Sequence, residues 1–253
     1  MLNKEIGIVL ECKIFSEADA IITLLGSLGP KARFSIKGIK KSKTRPIVAT
    51  EIGSKIQVDY YDHKEKEIKS IKEIAIQNRF DRIKSSYNGY MLLTYICELV
   101  NSLTAEGDFQ PKIFQLMDLA LSELDSENFK PLFLPFFKSR LLNILGLMPK
   151  EYHCHICHEN LESKNIGYIH PYSLEATCGD CLSIEDNHIS IIRFLNSIYQ
   201  NRYASLKTLQ IPSSLIIGTD RLINDYIRGG LHLELKTNLK FYNLLDADYG
   251  LSI

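Results

Sequence analysis

Cys154-x2-Cys157 and, after 20 intervening residues, Cys178-x2-Cys181 form the strongest local signal for chemistry in the chain. A CxxC turn can aim two thiolates at one point. Two such turns supply the four sulfurs that a tetrahedral Zn²⁺ prefers, at about 2.3 Å each. Four protein ligands leave no open coordination position, so such an ion is structural and not catalytic. Binding free energies of roughly 10–16 kcal/mol for such sites exceed the whole stability of an ordinary domain, so this segment should lose its fold without the metal. Two disulfides or idle thiols are the competing readings of the same residues. His153, His155 and His158 each have the chemistry to replace a cysteine. The all-cysteine set is preferred because its paired spacing is complete without them.

Residues 31–45 read KARFSIKGIKKSKTR and contain Lys31, Arg33, Lys37, Lys40, Lys41, Lys43 and Arg45 with no acidic residue. Arg33, Ser35 and Lys37 share the outer face of a strand, and Lys40 to Arg45 extend into a loop. A cationic strand face running into a cationic loop can follow a phosphate backbone. If about five phosphates were neutralised, log K should fall with log salt at a slope near −3.5 for a single strand. Phe34 alternates inward and belongs to the core, whereas Tyr61 falls on an outer face and is a candidate base platform. Glu17 and Asp19 sit two apart, a spacing suited to a turn and local charge pairing. Cys12 and Cys97 lie on apolar faces and read as core thiols.

These residues need elements to hold them. Ile6, Ile8, Leu10 and Cys12 repeat with a period of two, so a half-buried strand is expected there. Further strands are expected at Ile21–Leu25, around Phe34 and Ile36, at Ile56–Tyr60 and from Ile68 to Ile76. Five short strands with little helix between them predict a closed barrel or a small sandwich. From about Phe80 the period changes. Leu92, Ile96, Leu99, Val100 and Leu103 form one helical stripe, and Ile113 to Leu124 form another behind Pro111. Phe133 to Leu145 form a third, closed by Gly146 and Pro149. Such stripes must be buried against a partner, so these helices should pack together. Asn187 reads as an N-cap for a helix carrying Ile191 to Ile198. A last helix should run near Leu215–Arg228 and stop at Gly229-Gly230. The fold class expected is therefore α+β and multidomain. A nucleic-acid-binding barrel occupies residues 1–79, and a helical domain over residues 80–253 carries the cysteine module at about 151–185.

Composition bounds the function. Lys plus Arg and Asp plus Glu are equal at 30 each, but residues 1–80 carry 15 basic and 10 acidic side chains while residues 151–253 carry 8 and 12. The positive charge is thus concentrated in the barrel. Met1-Leu2-Asn3-Lys4-Glu5 offers no apolar run of signal-peptide length, and no stretch approaches the roughly 18 apolar residues of a membrane span. A cytoplasmic protein with no membrane partner is expected. No GxxxxGK[ST], GxSxG, HExxH or glycine-rich nucleotide loop occurs, and no nucleophile–base pair is credible, so binding is expected and covalent chemistry is not. Three rivals remain open. They are a zinc-ribbon RNA-binding or transcription-associated factor, a zinc hydrolase, and an adaptor whose basic segment takes an acidic protein.

Gly7-Ile8-Val9-Leu10, Glu17-Ala18-Asp19 before Thr23-Leu24-Leu25, and Lys37-Gly38-Ile39-Lys40-Lys41-Ser42 together resemble the opening of the RecO family. Arg140-Leu141-Leu142 through Leu145-Gly146-Leu147-Met148-Pro149 into Cys154-x2-Cys157 resembles that family's helical region entering its zinc module. Leu235-Lys236-Thr237 with Phe241 and Leu244 resembles its C-terminal end. The likeness implies an OB-fold at the N-terminus, a helical domain and one structural Zn²⁺. It also implies a bacterial, nucleoid-associated mediator of DNA repair that binds single- and double-stranded DNA and anneals complementary strands. The implied partners are RecR and the C-terminal tail of single-strand-binding protein. With RecF, such a mediator helps to place RecA on coated strands. The resemblance makes much of residues 231–235 helical, whereas Leu231-His232-Leu233-Glu234-Leu235 alternates like a strand. Some members of the family lack the cysteines, so the zinc does not define the activity.

Overall fold

A computed structural model describes residues 2–42, 45–62, 67–126, 129–183 and 186–237. The first five strands are β1 (Leu2–Ile14), β2 (Ala20–Gly26), β3 (Ala32–Ile36), β4 (Lys55–Tyr61) and β5 (Ile68–Asn78). They hydrogen-bond in the order β1-β2-β3-β5-β4, and β4 returns to β1 to close a barrel. All the pairings are antiparallel except β3 with β5, which is parallel. Closure gives every barrel strand a neighbour on both sides over part of its length. The interior is filled by Val9, Ile22, Leu24, Phe34, Ile36, Ile56 and Val58, each buried. Each such side chain contributes about 1.5–3 kcal/mol of transfer free energy.

The alternation expected of the first strand needs correction. β1 is buried on both faces over Gly7–Leu10, not half-buried. Its register shifts between Val9 and Glu11, where Val9 pairs with Leu24 and Glu11 with Thr23. The bulge puts Val9 and Cys12 in the barrel interior, while Ile8 and Leu10 are buried outside it. Helix α2 packs over β1 and covers that outer face.

α1 (Asp81–Lys84), α2 (Tyr87–Leu103) and α3 (Pro111–Leu124) follow the barrel. The Ser86 hydroxyl accepts from the Gly89 amide and caps α2, and Pro111 opens α3. The described chain falls into two compact units. One comprises residues 1–128 with 235–253, the other residues 129–234.

In the second unit, α4 (Phe133–Ile144) ends as expected at Gly146, which has φ 72°. The Leu147 amide donates to Leu142 and the Gly146 amide to Asn143, a Schellman closure that releases the chain toward the cysteine module. There β6 (Gly167–Ile169) and β7 (Ala176–Cys178) form a two-stranded sheet. Helices α5 (Ile189–Gln200), α6 (Tyr203–Leu206) and α7 (Ser213–Asp225) complete the unit, and α4, α5 and α7 pack on one another. Helix α5 starts one residue later than expected. His188 takes the cap position, while the Asn187 side chain still accepts from the Ile189 amide. Helix α7 gives way to a wider turn over Tyr226–Gly230. Residues 231–235 are neither strand nor helix, and His232 has φ 52° there. Phe241 and Leu244 lie outside the described residues. No helix among the described residues is long and apolar enough to cross a membrane.

Candidate metal centre and nucleic-acid interface

The sulfurs of Cys154, Cys157, Cys178 and Cys181 all lie within 4.8 Å of one another. The Cys157 and Cys178 sulfurs are 3.7 Å apart. A tetrahedron with metal–sulfur bonds of about 2.3 Å has edges of about 3.8 Å, so the spacing fits a metal. A disulfide needs about 2.05 Å, and all four thiols are free. The turns are built by the backbone. The His158 amide donates to the Cys154 carbonyl at 2.8 Å, and the Cys181 amide to the Cys178 carbonyl at 3.2 Å. The Lys164 ammonium then bridges Glu159, beside the first turn, to Asp180, within the second.

Electrostatics suits the cluster to a cation. Burial alone pushes the Cys154 thiol up, but hydrogen bonds from the Cys157, Cys178 and Ile156 amides outweigh it and bring the thiol down to about 6. Hydrogen bonding to Cys178 and Cys157, followed by burial, pushes Cys181 up to about 12. The cluster therefore sheds its first proton readily and resists losing its last, because four thiolates at this spacing repel unless a metal sits between them. Among the described residues the metal-capable group contains no histidine. The His155 ring stands against Thr177 Oγ1 at 3.0 Å, and His158 occupies a left-handed turn position with φ 61°.

The structure divides the basic segment. Lys31 is a correction. It is only 4% exposed, and its ammonium donates to the carbonyl of Asn101 at 2.7 Å and the side-chain oxygen of Asn101 at 3.0 Å. It also donates to the carbonyl of Thr104 at 2.5 Å. It neutralises the carbonyl end of α2 and faces no solvent. Arg33 is also not unopposed. Its guanidinium meets Glu106 at 2.8 Å and Glu67 at 3.2 Å. Lys37, Lys40 and Lys41 are exposed and Arg45 is half-buried, while Lys43 lies outside the described residues.

Lys37, Lys40, Lys41 and Arg45 form no ion pair with any described residue. The remaining described cations of residues 2–80, Lys31 apart, all do: Lys4, Lys13, Arg33, Lys55, Lys69, Lys72 and Arg79 each face a carboxylate. Among the described residues of the barrel, the uncompensated charge is therefore confined to one turn.

That turn is held in place. Gly38, with φ 66°, begins the short helix Ile39–Lys41, a backbone setting that favours glycine. Its amide donates to Asp19 Oδ1 at 2.7 Å, and the Lys40 amide donates to the Ala18 carbonyl at 3.2 Å. Asp19 thus serves as the brace of a turn, as its spacing from Glu17 suggested. The Ser16 hydroxyl accepts from the Ala18 and Asp19 amides and stiffens the other side. Ser42 Oγ accepts from the Arg45 amide. Phe34 is in the core, edge-on to Tyr60 at 5.0 Å. Tyr61 is 40% exposed on β4, which β5 separates from β3. Sequence reasoning passed over Phe15, which is 74% exposed in the hairpin loop between β1 and β2. Its signal was available: an aromatic at a strand end, followed by the polar turn Ser16-Glu17.

Two family models match the chain. The one described as Recombination protein O N terminal covers residues 1–80, and the one described as Recombination protein O C terminal covers residues 84–239. A DNA repair protein RecO from Leptospira biflexa is 34% identical over 244 residues, spanning 96% of this chain and 98% of its own length. Its counterpart in Dehalococcoides mccartyi is 27% identical over 236 residues, 92% of each chain. That of Caldanaerobacter subterraneus is 24% identical over 236 residues, 91% of this chain and 94% of its own.

Proposed function

The chain belongs to the RecO family of DNA repair proteins, and on that premise we propose that it binds single- and double-stranded DNA and anneals complementary strands without covalent chemistry. The observation that carries this reading is the braced turn whose Lys37, Lys40, Lys41 and Arg45 have no described carboxylate partner. Two DNA strands repel one another as polyanions. Fixed cations that hold one strand lower the cost of bringing up the second, and base pairing then takes over. Nothing in this sequence of events requires a nucleophile or an open metal position. The four cysteines would hold one structural Zn²⁺, whose charge would offset the thiolates and stabilise the fold of the segment around them. The metal supplies no reactivity, since four thiolates complete its shell. In the bacterial cytoplasm the protein works with RecR and RecF to place RecA on strands coated by single-strand-binding protein. Its helical region takes that protein's C-terminal tail.

The test is annealing of two complementary labelled oligonucleotides by the metal-loaded chain and by a variant carrying Lys37→Glu, Lys40→Glu and Lys41→Glu. The expected result is loss of at least tenfold in annealing rate with an unchanged circular dichroism spectrum. Annealing at the parent rate by the folded variant overturns the assignment of the turn.

A further inference from the structure

We infer that Phe15 is the base-stacking residue of this interface and that it favours binding of unpaired strands over duplex. The inference rests on the reading of Lys37–Arg45 as the phosphate-binding turn. A cationic turn alone does not distinguish the two forms of DNA, because both present phosphates. Discrimination needs a surface that only an unpaired base can cover, and an exposed aromatic ring supplies it, since every free base has a π-face.

The other aromatic side chains of the barrel are poorly suited. Phe34, Tyr60 and Phe80 are buried, and Tyr61 lies on β4, which β5 separates from β3, the strand that leads into the basic turn. Phe15 differs in both respects. It is 74% exposed, and neighbouring Ile14 is 53% exposed, so neither is held by the core. The loop that carries Phe15 is joined to the cationic turn by the Gly38–Asp19 and Lys40–Ala18 hydrogen bonds. That loop is itself closed by the Phe15 amide donating to the Asp19 carbonyl at 3.1 Å, above the Ile14–Ala20 pair. A large apolar side chain is therefore displayed on a hydrogen-bonded loop joined to the turn that carries the four uncompensated cations. This pairing of chemistries favours a strand whose phosphates and bases are both accessible over an acidic peptide or a paired helix.

The experiment uses the full, metal-loaded chain with a labelled thymidine oligonucleotide and a duplex of the same length. Phe15→Ala should weaken single-strand binding by about 5- to 150-fold, the roughly 1–3 kcal/mol of one base–aromatic stack. Duplex affinity should stay within about twofold, and the salt slope should not move, because no charge is lost. Because the chain has no tryptophan, Phe15→Trp makes residue 15 its sole indole. Its emission should be quenched on saturation with the single strand and unaffected by duplex. Equal loss on both substrates, no loss on either, or an indole that does not respond to saturating single strand overturns the inference. These outcomes are separable from failure of the underlying reading. If the parent protein binds neither substrate, the DNA-binding turn itself is wrong. If the parent binds and only the lysine variants weaken it, the turn stands and Phe15 alone falls.

Discussion

Replacing Lys37, Lys40 and Lys41 together by glutamine should flatten the salt dependence of single-strand binding by an amount the structure allows one to calculate. Of the seven cations in residues 31–45, Lys31 is buried against the carbonyl end of α2 and Arg33 is committed to two carboxylates. Four described cations remain without a carboxylate. Each phosphate contact on a single strand contributes about −0.7 to the slope of log K against log salt, so four contribute about −2.8. Between 50 and 200 mM salt the parent should therefore lose about 50-fold in affinity. In the triple variant only Arg45 remains of these four, so their share of the slope should be about −0.7 and the loss over the same interval about 2.6-fold. The variant should fold normally, since all three side chains are exposed and make no described ion pair. Fluorescence anisotropy of a labelled oligonucleotide, titrated at four or more salt concentrations, reads both slopes. If the triple variant keeps the parent's slope, the phosphates are contacted elsewhere and the reasoning from uncompensated charge is refuted.

Three other substitutions or treatments separate structural from binding roles. Lys31→Met removes three hydrogen bonds to α2 and should cost about 2–4 kcal/mol in urea unfolding while leaving the salt slope as it was; a stable protein with a flattened slope would return Lys31 to the interface. Lys138 is fully buried and pairs with Asp220 at 2.8 Å, so Lys138→Met should cost about 3–5 kcal/mol by stripping the cation from a buried carboxylate. The double variant with Asp220→Leu should recover part of that loss, and a double variant less stable than the single would contradict the pairing. Metal analysis should find about one zinc per chain in the parent and less than half in Cys178→Ser, with chelation melting the second unit's circular dichroism; an unaltered spectrum after complete removal would show that the metal is dispensable for folding.

Local pattern made much of this protein legible. Period-two alternation marked the third and fourth barrel strands and, imperfectly, the first and fifth, while a continuous apolar run marked the second. The helical stripes, the Pro111 start and the Gly146 stop were visible because caps and periodicity act within a turn or two. The cysteine pairs identified the four-sulfur cluster, since a CxxC turn brings two sulfurs together largely by itself.

What only the tertiary structure decided depends on residues far apart in sequence. Nothing near Arg33 in the chain announces its partners Glu67 and Glu106, 34 and 73 residues away. They reach it because β3 pairs in parallel with β5, and because the chain returns beside Lys31 at Gly107. Lys31 likewise became a structural cation only when α2 ended against it. The bulge that follows Val9 in β1 turns Cys12 to the same interior side as Val9, three residues earlier, a change that alternation alone cannot contain, since one inserted residue changes the face of every residue after it. Sequence counted the charges, and closure of the barrel determined which of them remained uncompensated.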